Sequence, residues 1–292
     1  MKTKTVELVI SPREPHFVGD GFRVHNFIPS ANKLTMQRMN PIILMDYNSP
    51  FYFTPSETPR GVGVHPHRGF ETVTIAYKGK VEHHDSSGGG GVIGEGGVQW
   101  MTAASGILHK EFHEKEWSKT GREFQMVQLW INLPAKDKMT APKYQSLQNA
   151  QINRFQIAND GGEIEIIAGE YNGIIGSAST FTPLHLFNAK LKKGATANFN
   201  FPNHFNTALL VIEGNIKINN TEEVPTNNFI LMANDGEDFL ITADDEAVVL
   251  ILSGEPINEP IAAHGSFVMN TKEELMQAFD DFNKGRFGYL ED

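Results

Sequence analysis

The sequence predicts an all-β protein made of two similar antiparallel β-domains, with one short helix near the end of the chain. Three observations carry that reading. First, short runs alternate apolar and polar residues, as in "TVTIAYKGKVEHH", "FQMVQLWINL", "EIEIIAG", "TALLVIEGNIKIN" and "AVVLILSG", and Gly, Asn and Pro turns separate them. A period of two is what a half-buried strand requires, because successive side chains point to opposite faces. Second, "ETVTIAYKGKVE" from Glu71 aligns without gaps on "NTALLVIEGNIK" from Asn206, which sets Thr72 on Thr207 and Gly79 on Gly214. Third, helix signals gather in one place, where Thr271 and Glu274 form a capping box, Leu275, Phe279 and Phe282 share a face, and Gly285 follows. Together these define a β-sandwich or β-barrel class.

The stretch "KDKMTAPKYQSLQNAQINR" is polar and carries a proline, so a domain boundary is expected between residues 140 and 160. We divide the chain into residues 1–145 and 146–292 and assign the terminal helix to the second part. With 292 residues, 40% of them hydrophobic, two cores of ordinary size are within reach. A formal net charge of -10 repels polyphosphate and argues against direct nucleic-acid binding. Cysteine is absent, which removes disulfides, thiolate metal sites and thiol nucleophiles, so any metal must sit on His and carboxylate. The opening "MKTKTVELVISPREP" lacks an apolar core followed by a small-residue cleavage site. No window approaches the roughly 18 apolar residues of a membrane span. The expectation is a soluble, cytoplasmic monomer.

Chemistry concentrates in the first half. Six of the eleven histidines, His65, His67, His83, His84, His109 and His113, lie between positions 65 and 113. In an extended strand His65 and His67 project from one face, and Glu71 shares their parity. Continued in that parity, the row runs through Val73, Ile75 and Tyr77, so the odd-numbered row is expected to face the interior. "SGILHKEFH" repeats the pattern, with His109, Glu111 and His113 on one face. A lone His-x-His on a hairpin is more often solvated decoration than a ligand pair, and the second His/Glu set turns the balance toward a metal. Imidazole and carboxylate together suit a divalent first-row ion, and three His with one Glu leave two octahedral positions open for substrate or dioxygen. His83 and His84 point to opposite faces of their strand, and both are read as non-ligands. In the aligned repeat, Asn200, Pro202 and Asn206 stand where His65, His67 and Glu71 do, so the second domain is expected to lack the site.

Other signals are weaker. Gly89, Gly91 and Gly94 match G-x-G-x-x-G, but "VQWMTA" follows and reads as a strand, so the match is a hairpin loop and not a nucleotide cradle. Trp100, Met101, Phe112, Trp130 and Phe70 read mainly as core, with one or two lining an aromatic pocket. His204 has no partner at ligand spacing and reads as structural. Arg68 has three readings: a partner for an acid or a substrate anion, a clamp on Glu71, or a donor to a turn carbonyl.

"HPHRGFETVT", "GVQWMTAASGILHKE" and "GEPINEPIAAHGSFVMNT", with intervening stretches such as "NPIILMDYNSP", closely resemble the pirin family of the cupin superfamily. The resemblance implies a bicupin, two antiparallel jelly-roll barrels with metal in the N-terminal one only. It implies His65, His67, His109 and Glu111 as ligands of one divalent ion, Fe(II) by family expectation, with Mn, Co, Ni, Cu or Zn accepted by the same donors. Cupins in general use the Glu after the His pair, so the resemblance moves Glu71 to a supporting or catalytic role and leaves open whether His113 reaches the metal. Quercetin 2,3-dioxygenase activity is implied, in which dioxygen opens a flavonol ring with release of carbon monoxide and Glu111 helps take the substrate proton. The family also implies an alternative, a metal- and redox-dependent regulator that binds transcription factors or metabolic enzymes.

Overall fold

The computed structural model describes residues 2–30 and 34–291. The chain forms two compact units, and neither is contiguous. One joins Glu14–Ala150 to the chain from Ile257 onward, and the other joins the chain up to Arg13 to Gln151–Pro256. The linear split at 145/146 is therefore corrected. Lys143–Leu147 is a strand of the first unit, Val6–Ile10 a strand of the second, and the terminal helix belongs to the first. A polar stretch marked the region, but a short edge strand is itself polar, so composition could not separate it from a linker.

In the first unit a seven-stranded antiparallel sheet runs Lys143–Leu147, Val98–Thr102, Phe70–Lys78, Arg122–Asn132, Ile42–Phe53, Phe22–Ile28, His16–Val18. A four-stranded sheet runs Gly61–His67, Ile107–His113, Val81–Asp85, Gly90–Ile93. The second unit repeats both. Its large sheet runs Val6–Ile10, Phe229–Met232, Asn206–Glu213, Ala247–Gly254, Leu184–Leu191, Gly162–Ala168, Asn153–Ile157, and its small one Thr196–Asn200, Asp238–Ala243, Ile216–Ile218, Glu222–Val224. Phe70–Lys78 and Asn206–Glu213, the pair aligned from sequence, both stand third in their sheets, and Gly79 and Gly214 behind them take left-handed φ values of 93° and 76°. The fold is the all-β double barrel that the alternation predicts.

The two interiors differ in chemistry. The second unit packs Phe187, Phe199, Phe201 and Phe239 among aliphatic side chains. The first keeps an apolar cluster of Phe22, Val24, Phe53, Phe124 and Met126 but also buries His67, His83, His109, Glu111 and His113.

The terminal helix, Lys272–Asn283, has the expected capping box of Thr271 and Glu274. Its most buried residues are Ala278 and Asp281, while Phe279 and Phe282 stay half-exposed against Phe267. Asp281 accepts from Arg68 at 2.8 Å and from Arg286. Arg68 also donates from Nε to the Ser105 carbonyl at 2.6 Å and lies over the Phe287 ring. Of the readings for Arg68, the acid and the carbonyl are the ones realised.

Two short helices, Met36–Met39 and Lys115–Ser118, escaped the sequence reading because one helical turn carries no periodicity. Among the described residues no helix is long and apolar enough to cross a membrane.

A buried lysine fastens the turn that follows His67. Gly69 has φ of 89°, and a Cβ there would meet the Val268 carbonyl oxygen at 1.9 Å, so only glycine fits. Lys138, 1% exposed, donates to the Gly69 carbonyl (2.6 Å), Asn132 Oδ1 (2.6 Å) and the Val268 carbonyl (2.9 Å). Each buried acceptor left unpaired costs roughly 1–3 kcal/mol. Lys138→Met is therefore expected to destabilise the protein by about 3 kcal/mol in urea unfolding; a change below about 0.5 kcal/mol, the range of ordinary surface substitutions, would show that the turn holds without it.

Candidate metal centre

Three strands of the small sheet build the centre. Ile107–His113 lies between Gly61–His67 and Val81–Asp85, and pairing sets His109 opposite His65 on one side and Asp85 on the other, with Glu111 opposite His83. Directly opposed residues share a face, so all five point inward. The ladder with Gly61–His67 carries a bulge between His109 and Glu111, where Glu111 pairs with Val62 instead of Gly63. Bulges re-aim side chains beside functional sites. Here the freed Gly63 carbonyl takes the His65 Nδ1 at 2.8 Å, which leaves Nε2 for another partner.

The three rings of His65, His67 and His109 converge, with centroids 4.8, 4.2 and 4.6 Å apart. Their ligand atoms lie within 4.8 Å of one another, and so do those of His83, His109 and Glu111. His109 belongs to both groups. His67 Nδ1 and His109 Nε2 are buried without a hydrogen-bond partner, an arrangement that costs free energy unless something binds there. Burial, reinforced by neighbouring imidazoles, holds His67 and His109 well below the ordinary histidine range, so both stay neutral, the form in which imidazole binds a metal. The residues present fit a divalent ion.

Glu111 is fully engaged by its neighbours, with Oε1 accepting from Thr74 Oγ1 (3.1 Å) and Oε2 from Gln128 Nε2 (2.7 Å). The Thr74 bond fixes which face of Phe70–Lys78 looks into the site: the even-numbered row. The odd-row expectation is thus corrected, because His65 and His67 do not continue into the following strand. The chain turns at Arg68 and Gly69 and enters the other sheet, so parity is not carried across. Glu71 consequently faces away from Thr74 and Glu111, where its Oε1 accepts from Thr102 Oγ1 at 2.7 Å.

His113 also stands apart. Its Nε2 bonds the Gly21 carbonyl at 2.7 Å, and Phe22, Phe53, Trp117 and Phe124 box its ring. His84 is on the surface with Glu82. His204 is exposed, 3.9 Å from Glu255. The glycine-rich stretch is the expected hairpin, joining Val81–Asp85 to Gly90–Ile93.

Sequence reasoning reads His83 only as a non-ligand and passes over Asp85, Gln128 and Asp46. His83, 1% exposed, stacks on Tyr144 (4.7 Å, 9°) and donates from Nε2 to Asp85 Oδ2 (3.1 Å), with its Nδ1 3.4 Å from His109 Nδ1. Burial pushes the Asp85 carboxyl up, but hydrogen bonds from His83, Ser87 and Gly89 outweigh it and hold the group below its usual range. Gln128 braces Glu111. Asp46, bonded by Asn26 at 2.7 Å and raised by burial, lines a cavity beside His65, His67 and Glu111. The parity of Glu111 against a paired strand was the signal for His83, but it needs the strand pairing to be read.

That cavity, of about 380 Å³, is lined by His65, His67 and Glu111 together with Gln128, Val24, Met126 and Trp130. Phe70 stacks on Trp130 (4.3 Å, 28°), so of the aromatic candidates Trp130 lines the pocket and Phe70 backs it. Trp100 and Met101 are core.

Two antiparallel barrels, one holding an imidazole–carboxylate cluster able to hold a metal ion beside an apolar pocket and the other filled with phenylalanine, define a two-domain cupin. Residues 21–131 match the pirin family and residues 186–288 the pirin C-terminal cupin domain. A Pseudomonas aeruginosa relative, provisionally named a quercetin 2,3-dioxygenase, is 46% identical over 93% of this chain and 94% of its own. The crystal structure of a quercetin 2,3-dioxygenase from Acinetobacter baumannii is 44% identical, covers 99% of this chain and all of its own, and superposes with a TM-score of 0.93. The pirin YhhW of Escherichia coli, solved in complex with nickel(II), shares the fold at 21% identity and a TM-score of 0.64. The chain belongs to the pirin family.

Burial pushes Glu71 up to about 7 from 4.5, against the opposing hydrogen bond of Thr102. A carboxyl raised on folding contributes its stability fully below the unfolded value and loses it as pH rises through the folded one. Glu71→Gln stays neutral throughout, so its stability relative to the parent should rise by about 3 kcal/mol between pH about 5 and about 8 in urea unfolding. A difference that does not change with pH would show that Glu71 ionises normally.

Proposed function

We propose that the protein is a metal-dependent dioxygenase of pirin type, cytoplasmic, that opens the central ring of flavonols such as quercetin with release of carbon monoxide. The proposed ligands are His65, His67, His109 and Glu111, with Fe(II) as the leading ion. The observation that carries the reading is the joining of an imidazole–carboxylate cluster to an apolar cavity of flavonoid dimensions. A bound divalent ion there supplies Lewis acidity and a template for a phenolate and dioxygen.

The chain's own residues supply the rest. Trp130, backed by Phe70, offers a flat wall for a planar ring. Val24 and Met126 exclude water from it. Glu111 Oε2, held by Gln128 on the cavity side, is the oxygen placed to take the proton of the flavonol 3-hydroxyl, while Thr74 fixes Oε1. A general base in this position contributes typically 10²–10⁴-fold. Glu111→Gln should therefore lower turnover by roughly that factor while part of the metal stays bound, measured by steady-state oxygen uptake beside metal analysis. Unchanged turnover would remove Glu111 from the proton transfer.

The reading itself is tested by loading the protein anaerobically with iron, adding quercetin, and following oxygen consumption and carbon monoxide release against a His65→Ala/His67→Ala variant. Gas exchange is expected from the parent alone. None above the variant, with iron bound, would overturn the flavonol assignment in favour of a metal-dependent binding protein.

A further inference from the structure

His109 differs from the other two histidines in what stands behind it. His65 Nδ1 meets a backbone carbonyl. His109 Nδ1 meets the Nδ1 of a second buried imidazole, His83, at 3.4 Å, and His83 Nε2 meets Asp85 Oδ2 at 3.1 Å. Between two imidazoles the direction of the bond is not given by chemistry alone, since each nitrogen can donate or accept. Here the far end decides it. Asp85 Oδ1 accepts from the Ser87 N–H (2.9 Å), the Ser87 hydroxyl (2.7 Å) and the Gly89 N–H (2.9 Å), so the carboxylate is anchored and its Oδ2 presents lone pairs to His83. An acceptor at that point requires N–H on His83 Nε2. A neutral His83 then has a bare Nδ1, which accepts from His109 Nδ1–H. His109 Nε2, the buried atom without a partner, is left with its lone pair.

We infer that Asp85 and His83 form a hydrogen-bond relay that fixes His109 as the Nδ1–H tautomer and aims its Nε2 lone pair into the centre. They are positioning residues, and the inference rests on the reading of His109 as a ligand. The nitrogen of a histidine that binds metal is set by the bond the other one makes, and loss of such outer partners typically weakens metal binding 10–100-fold. The structure around the relay is built for it. His83 is held flat against Tyr144, and a Cβ on Gly89 would meet Asp85 Oδ2 at 2.3 Å, so glycine is what lets the carboxylate reach His83.

Asp85→Asn is the discriminating substitution. The Ser87 and Gly89 N–H groups still require an oxygen, so the amide oxygen takes the Oδ1 place and the amide NH₂ faces His83 Nε2. The relay is then reversed: His83 donates from Nδ1, and His109 carries its proton on Nε2, where a metal would bind. An Asp→Asn change that leaves geometry intact but inverts a histidine tautomer is a known way to disable a site.

Long-range ¹H–¹⁵N spectra of the metal-free protein read the tautomer directly. The expected result is Nδ1–H for His109 in the parent and Nε2–H in Asp85→Asn. Nε2–H in the parent, or an unchanged tautomer in the variant, would overturn the relay whatever the protein binds. A second arm measures Ni(II) affinity by chelator competition for the parent, Asp85→Asn, His83→Phe, which keeps the ring on Tyr144, and His65→Ala/His67→Ala. Binding weakened about 10–100-fold in the first two variants and abolished in the third supports the relay. Binding abolished in His83→Phe but retained in the His65/His67 variant would make His83 a ligand in the group with His109 and Glu111, overturning both the relay and the proposed ligand set.

Discussion

Strand Ile107–His113 is hydrogen-bonded on both edges, to Gly61–His67 and to Val81–Asp85, and the register of those two ladders determines what every polar group of the centre can reach. The flanking strands approach from opposite sides, so one brings imidazoles toward His109 and the other brings an imidazole and a carboxylate. A one-residue slip in either ladder would turn its side chains to the opposite face. The bulge opposite Lys110 absorbs an extra residue without such a slip. It lets His109 face His65 while Glu111 draws back toward Thr74 and Gln128. Lys138 and Gly69 then fix where the chain leaves His67, and Arg68 anchors the same corner to Asp281.

Much of this was legible in the sequence, and the parts that were not have a common cause. Alternation gave the class, and the alignment of Glu71 on Asn206 placed two strands that do occupy matching positions in their sheets. The histidines at 65, 67 and 109 come together as their spacing suggests. Glu71 fails because parity was carried through a turn at Arg68 and Gly69 that one-dimensional reading treats as strand. That His83 is the one of its pair to face the centre is not legible, because facing depends on which strand lies beside it, and pairing is a long-range property. Terminal segments fail for the same reason, since nothing local in Val6–Ile10 or Lys272–Asn283 says which barrel completes its core with it.

The two barrels show what a polar centre displaces. Phe187, Phe199, Phe201 and Phe239 fill the second interior, each contributing on the order of 1.5–3 kcal/mol by burial. In the first, imidazoles and a glutamate occupy buried positions, and their desolvation is offset only where each donor and acceptor finds a partner. Thr74, Gln128, Asp85, Gly63 and Gly21 are those partners, recruited from five different stretches of chain. Asn200 and Pro202 stand at the aligned histidine positions of the second unit, whose buried Glu165 is paired with Arg154 and Lys190.

Val6–Ile10 pairs with Phe229–Met232, and Arg68 with Asp281, so each unit joins segments more than two hundred positions apart. A ribosome adds about 5–20 residues per second, and independent domains usually fold in order as they emerge. That order is closed to this chain. The unit carrying the histidines is without its helix, and without Val268 beneath Gly69, until the stretch from Ile257 onward has been made. Val6–Ile10 waits on the order of ten seconds or more for a partner over two hundred positions away. Neither unit can close from one continuous stretch of chain, and the edges left unpaired until the distant segment is made are where a nascent chain depends most on chaperones.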